Sequence, residues 1–188
     1  MTVRHYDLRW LIVFGANLVL WWLVGLANHS LTAFSIPFFT DHATIHLYVG
    51  GLFVTYGALR LDSLHGFTAT ICTGLLVDAA EPVPFGTSLV LFGLVHAFLV
   101  YGRSRFPREE LVFGTVVALI SNLFIFLVLS IMLIGDNPRP GDAWLRLFVD
   151  LLASQLVVGI ITPWFLSLQA QAHVLVRINP ETGRKVML

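Results

Sequence analysis

The stretch GLLVDAAEPVPFG, residues 74–86, ends an apolar run with an aspartate and then turns the chain with two prolines and a glycine. Asp78 stands in a sequence with 57% hydrophobic and 12% charged residues, whereas soluble domains carry roughly 25% charged residues. Apolar runs recur over nearly all 188 residues, which indicates a membrane protein without a separate soluble domain. The stretch therefore predicts the edge of a membrane-spanning segment, where an irregular turn must be covered by protein or reached by water.

Outward from this turn, the apolar runs predict an all-α, polytopic membrane protein: a bundle of six transmembrane helices in one domain covering residues 1–188. The predicted helices lie near residues 9–27, 43–60, 65–79, 86–102, 109–134 and 144–171. The runs are longer and more continuous than the alternating segments of about 10 residues in an outer-membrane barrel, so helices are preferred. Residues 172–188 are polar and predict a tail that frays.

The basic residues predict the orientation of this bundle. Nine of the eleven Lys and Arg residues fall at the termini or in the loops after the second and fourth helices, and the opposite side has Arg139 and Arg146. Because positively charged loops stay in the cytoplasm, we expect both termini to be cytoplasmic. The loop after the fourth helix is the most basic, with Arg103, Arg105 and Arg108. We expect it to contact anionic lipid headgroups or a cytoplasmic partner.

Small residues follow one ridge of the third predicted helix. Gly66, Thr70 and Gly74 are spaced by four residues, and Asp78 is next in the series. Such a ridge lets helices approach closely in lipid, so we expect these residues to have a structural or partner-binding role. A charged aspartate facing lipid would be costly, which places Asp78 against protein or water.

Asp78 has two interpretations. In the structural one, its carboxylate accepts hydrogen bonds from backbone N–H groups of the following loop or of the next helix start, near Thr87 and Ser88. In the functional one, it binds a substrate, a proton or a partner helix. The structural one is preferred because Pro82, Pro84 and Gly86 are residues that shape a fixed turn, and such a turn can also present a docking surface.

The sequence offers little support for catalysis or for a metal centre. It contains no GxSxG, HExxH or Gly-rich phosphate loop, and its single cysteine, Cys72, excludes an internal disulfide. His42 and His46 have helical spacing but no third ligand nearby, so no metal or other cofactor is expected. Asn122 and Gln155 are expected to bond between the fifth and sixth helices, and the net charge of zero argues against nucleic acid as a partner.

The order of these features resembles the MreD family of rod-shape-determining membrane proteins. The resemblance is carried by GFTATICTGLLVDAAEPVPFGTSLVLFGLVHAFLVYGRSRF, residues 66–106, and more weakly by VVGIITPWFLSL, residues 157–168. It implies a non-enzymatic scaffold of the cell-elongation machinery in the bacterial cytoplasmic membrane, which binds MreC and couples MreB filaments to RodA and its penicillin-binding partner. Gly74, Asp78 and the Pro84–Gly86 turn match the family's central motif, whereas the first helix matches nothing diagnostic.

An alternative function is a substrate-binding membrane subunit of a vitamin or other small-molecule transporter. Such subunits of energy-coupling-factor transporters also have six helices and a similar size, and the MreD family is thought to resemble them in fold. This function needs a polar-lined pocket near the outer face, for which the candidate lining residues are His42, His46, Asp78 and Asp150. Against it, the first helix lacks the pair of alanines, four residues apart, through which those subunits dock to their transport partner. The residue four positions after Ala16 is Leu20.

Overall fold

The computed structural model describes residues 9–33, 45–103, 111–134 and 140–176. Over these residues the chain forms six helices: α1 (Arg9–Ala33), α2 (Gly50–Arg60), α3 (Ser63–Ala80), α4 (Thr87–Gly102), α5 (Leu111–Ile134) and α6 (Pro140–Leu175). The predicted all-α class is confirmed. Five helices lie where the apolar runs place them, with ends displaced by a few residues.

The second helix is the exception. The apolar run predicts a helix over residues 43–60, but α2 begins at Gly50. Residues 45–49 are not helical, and residues 43 and 44 lie outside the described residues. The prediction was wrong here because several of the N–H groups in 45–49 bind side chains from other helices, an alternative that apolar periodicity does not reveal.

The short helix α2 forms the centre of the bundle. Every residue from Gly50 to Leu59 is buried, as expected for a helix that is surrounded by others. It packs on α3, α4, α5 and α6, while α3 packs on α4 and α5 packs on α6. A Cβ at Gly51 would collide with the Ala118 carbonyl oxygen and the Asn122 nitrogen, so glycine lets α2 and α5 meet backbone to backbone.

Within the part of the chain that the structure describes, three helical segments are long and apolar enough to cross a membrane: Arg9–Leu31, Val112–Ile134 and Ala143–Leu175, with mean hydropathies of 2.0, 2.8 and 1.8. Large apolar side chains such as Trp22, Phe98 and Ile160 point outward from the bundle. A surface of this kind is unusual for a soluble monomer and suits a lipid environment. The chain is therefore a helical membrane protein.

The bundle has two ends with different chemistry. The turn end holds the α3–α4 connection, residues 81–86, and the start of α2. The basic end holds Arg9, Asp62 and Arg103. Helices α3 and α4 join through the short turn and run antiparallel, so the ridge of α3 extends from one end to the other.

Candidate functional site

Asp78 connects the last turn of α3 to the first turn of α4. Its side chain is buried, and its carboxylate accepts hydrogen bonds from the backbone N–H groups of Gly86 (3.0 Å), Ser88 (2.7 Å) and Leu89 (3.1 Å). The first N–H groups of a helix lack intrahelical partners, and their partial positive charge favours an anion. Asp78 therefore caps α4 from another helix, in the arrangement that the structural interpretation of this residue predicts.

The turn between the two helices is held by further local bonds. The backbone N–H and the hydroxyl of Thr87 both donate to the Pro84 carbonyl oxygen, at 3.1 and 2.7 Å. Gly86 has φ +96°, a left-handed conformation that disfavours other residues. Pro82 and Pro84 are exposed, and Phe85 leaves 74% of its surface exposed. The result is a fixed turn that presents an aromatic side chain.

The small-residue ridge of α3 is used inside the molecule. Gly66, Thr70 and Gly74 are all buried. A Cβ at Gly66 would collide with the carbonyl oxygen of Gly57 in α2, and one at Gly74 would lie 2.7 Å from the Cα of Leu89 in α4. Of the two roles expected for the ridge, the structure therefore shows packing between the chain's own helices.

Residues 45–49 form a non-helical entry into α2, and its backbone is bound by side chains from other helices. The N–H groups of His46, Leu47 and Tyr48 donate to Asp150 Oδ1 (2.9 Å), Asn28 Oδ1 (2.8 Å) and Ser154 Oγ (2.9 Å), respectively. Asn28 also donates through Nδ2 to the Leu47 carbonyl oxygen at 3.0 Å. Non-helical backbone at membrane depth requires such partners, since lipid offers none.

Asn122 extends this set of bonds. Its Oδ1 accepts from the N–H of Gly51 at 3.1 Å, at the first turn of α2. The sequence led us to expect that Asn122 bonds between α5 and α6, and this was wrong: it joins α5 to α2. Gln155 does join α6 to α5, through Nε2 and the Leu119 carbonyl oxygen at 3.3 Å. An asparagine in the middle of an apolar helix indicates a hydrogen bond to another helix. Which helix it binds depends on where α2 begins, and the sequence did not predict that position.

A cavity of about 320 Å³ lies at the turn end, between the 45–49 segment, the α3–α4 turn, α5 and α6. Its polar lining residues are His46, Tyr48, Glu81, Ser88, Ser130 and Asp150. Two of the four candidate lining residues, His46 and Asp150, thus come together here. Asp78 does not line the cavity, because its carboxylate faces the α4 N-terminus, and His42 lies outside the described residues. The pattern of apolar runs gave no indication of Tyr48 or Glu81.

The basic end is also tied to the fold. Arg103 donates from Nη1 to the Leu61 carbonyl oxygen at 2.7 Å and to the Ala58 carbonyl oxygen at 3.3 Å, at the end of α2. Arg103 therefore caps the end of α2, and its contact with lipid or a partner stays a prediction. Arg105 and Arg108 lie outside the described residues.

An ion pair joins α1 to the start of α3 at the same end. Arg9 Nη1 lies 3.1 Å from Asp62 Oδ1, and His65 Nδ1 lies 2.9 Å from the same oxygen. Burial alone would raise the pKa of Asp62, but the hydrogen bond with His65 and the positive charges of His65 and Arg9 outweigh burial and lower it. The carboxylate is therefore the favoured form in the folded protein.

The described residues contain no group of three or more His, Cys, Asp or Glu side chains that could hold a metal ion. No family model, curated protein or solved structure matches the chain. The residues of the candidate site form two features at one end of the bundle: a fixed turn with an exposed phenylalanine, and a cavity with two carboxylates.

Proposed function

We propose that this protein is a six-span, non-enzymatic scaffold of the bacterial cell-elongation machinery, with both termini cytoplasmic, that binds MreC in the cytoplasmic membrane. RodA and its penicillin-binding partner would belong to the same assembly. The proposal rests on the resemblance of residues 66–106 to the MreD family and on the excess of Lys and Arg on one side. A bundle with short connections can bind other transmembrane helices through complementary packing alone.

One observation carries the proposal furthest: Asp78 fixes the α3–α4 turn, which is the part of the chain with the most specific resemblance. The carboxylate holds three N–H groups, and Phe85 stays exposed beside them. A preorganised aromatic side chain is a favourable anchor for a partner, because little conformational entropy is lost on binding. The turn end is therefore the proposed docking surface for MreC.

Co-purification with MreC from detergent after co-expression tests this proposal. We expect one-to-one capture, with an unrelated six-span protein of similar charge as the negative control. Phe85→Ala is expected to reduce capture strongly without loss of folding, since the side chain is exposed. Phe124→Ala, which removes a phenylalanine that is 51% exposed on α5, is the matched control. Absence of capture by a well-folded protein would reject the scaffold function.

A second candidate function is the substrate-binding subunit of a small-molecule transporter, and the cavity at the turn end favours it. The volume of about 320 Å³ lies at the lower end of the range for ligand sites. The transporter function requires one ligand molecule to bind to each protein chain. A scaffold has no such requirement, so ligand binding and MreC capture separate the two functions.

A further inference from the structure

The cavity at the turn end has an apolar wall and a few polar groups. Phe126, Leu129 and Leu133 of α5 form one side, with Val77 of α3 and Leu147 of α6 nearby. Small-molecule sites are built in this way: apolar surface supplies affinity, and a few polar groups fix the orientation of the ligand. The identity of those groups therefore indicates the chemistry of the ligand.

Tyr48 supplies the first of these groups. Its hydroxyl is buried and has no hydrogen-bond partner, although buried hydroxyl groups normally have one. The ring is held in place, because it makes an edge contact with Phe126 at a centroid distance of 6.1 Å. A Cβ at Gly50 would collide with the Tyr48 hydroxyl, so the glycine leaves room for the ring. Tyr48 lines the cavity, so a polar ligand atom that reaches its hydroxyl would supply the missing partner.

Two carboxylates supply the charge. Glu81 and Asp150 both line the cavity, and its lining includes no Lys or Arg. Asp150 accepts the His46 N–H through Oδ1, and an ionised carboxylate has about four lone-pair sites, so it can accept further bonds. Arg146, one turn earlier on α6, is exposed, and its positive charge acts on Asp150 from outside the cavity lining. The two carboxylates of the lining outnumber this one cation, so the cavity still favours a positively charged group.

We propose that this cavity binds a protonated amine carried on an apolar body. The amine pairs with Glu81 and Asp150, the Tyr48 hydroxyl bonds to a polar atom of the ligand, and the body packs on Phe126 and Leu129. The amine can belong to a soluble molecule or to an aminophospholipid headgroup. This inference rests on the cavity and does not require MreC binding. If the protein is instead the substrate-binding subunit of a transporter, a protonated amine is the class of its substrate.

Three probes that share one apolar body but differ in charge test whether the cavity selects a cation. They are 2-phenylethylamine, 2-phenylethanol and 3-phenylpropionate. The full chain is placed in phosphatidylcholine nanodiscs, and the midpoint of thermal unfolding is followed as each probe is added. We expect the amine to raise the midpoint saturably. The alcohol is expected to do so weakly, which controls for partition into lipid, and the carboxylate not at all. Equal shifts for all three probes, or a larger one for the carboxylate, would overturn the proposal.

Substitutions locate the site. Glu81→Gln and Asp150→Asn keep a hydrogen-bond acceptor but remove a charge, and each is expected to weaken amine binding by about tenfold or more. Tyr48→Phe should weaken it by a few-fold. Asp62→Asn and Tyr101→Phe are the matched controls, since they remove a carboxylate at the basic end and an exposed hydroxyl on α4. Amine binding that is unchanged in Glu81→Gln and in Asp150→Asn would place the amine elsewhere and refute the site.

Nanodiscs containing phosphatidylethanolamine distinguish the two sources of the amine. If this lipid suppresses the shift caused by 2-phenylethylamine, the headgroup occupies the cavity; if it does not, the ligand is a soluble amine. Both results support the proposed chemistry. MreC capture is measured on the same variants, so loss of amine binding with capture retained would separate failure of this site from failure of the scaffold.

Discussion

Two non-helical stretches meet at the turn end, and their backbone N–H groups are satisfied in opposite ways. At the end of the α3–α4 turn and the start of α4, one carboxylate from 8 to 11 residues away binds three N–H groups. In the 45–49 segment, three side chains from 19 to 106 residues away each bind one. The first stretch is held locally by a single residue, whereas the second is held by side chains of α1 and α6.

This difference predicts where the structure is vulnerable. Loss of the one residue that holds the turn should free several N–H groups at once, whereas each residue that holds the 45–49 segment should free one. The segment also borders the cavity, and ligand sites commonly lie where the backbone is irregular. The comparison thus separates a structural stretch from a candidate binding stretch at the same end of the bundle.

The largest effect is expected from Asp78→Ala. It leaves three N–H groups at the α4 N-terminus without an acceptor, which should lower the free energy of unfolding by about 3 to 5 kcal/mol. Unfolding by sodium dodecyl sulfate in mixed micelles measures this value. Asp78→Asn should lose less, since an amide oxygen still accepts. A variant that keeps its stability but no longer captures MreC would instead support a direct partner-binding role for Asp78.

Glycine substitutions test the close backbone contacts near both stretches, between α3 and α4 and between α2 and α5. Gly74→Ala and Gly51→Ala each place a Cβ against backbone atoms of a neighbouring helix, so each should cost about 1 to 3 kcal/mol of stability. Gly25→Ala is the control, because a Cβ there meets nothing within 4 Å, and it should be neutral or slightly stabilising. A loss of stability in Gly25→Ala would mean that the cost does not come from close packing.

The 45–49 segment should respond one bond at a time. Ser154→Ala removes the acceptor of the Tyr48 N–H and should cost about 1 to 2 kcal/mol, with Asn28→Ala somewhat larger because two bonds to Leu47 are lost. Hydrogen exchange should accelerate at residues 46–48 while the α3–α4 turn stays protected. Equal acceleration of exchange in both stretches would show that they open together and are not stabilised independently.

The same contrast explains what the sequence could predict. The Asp78 turn, the ridge at Gly66 and Gly74 and five helices follow from spacing, charge and apolar length, which are local properties. The break before Gly50 does not, because His46 binds Asp150 across 104 residues and the run itself is apolar enough for a helix. The cavity needs four chain segments together, so its Tyr48 and Glu81 were not among the candidates, although His46 and Asp150 were.

The smallest effect is expected at the opposite end, where Asp62 is a partly exposed carboxylate in contrast to the buried Asp78. Its pKa lies below the ordinary 3.8, so the folded state favours the carboxylate. The stability that the ionised Asp62 adds to the folded state is fully present above about pH 4. It is lost as the pH falls through the lowered pKa of Asp62 in the folded protein. Solvent screening limits it to about 0.2 to 1 kcal/mol.

Comparison of the parent protein with Asp62→Asn across pH isolates this contribution. The parent should be the more stable of the two at pH 7, and the difference should shrink toward zero below pH 4, because the protonated Asp62 no longer attracts Arg9. High salt should reduce the difference at pH 7 as well. A difference as large as that caused by Asp78→Ala would show that exposure does not separate the two carboxylates, and that the basic end depends on one residue as the α3–α4 turn does.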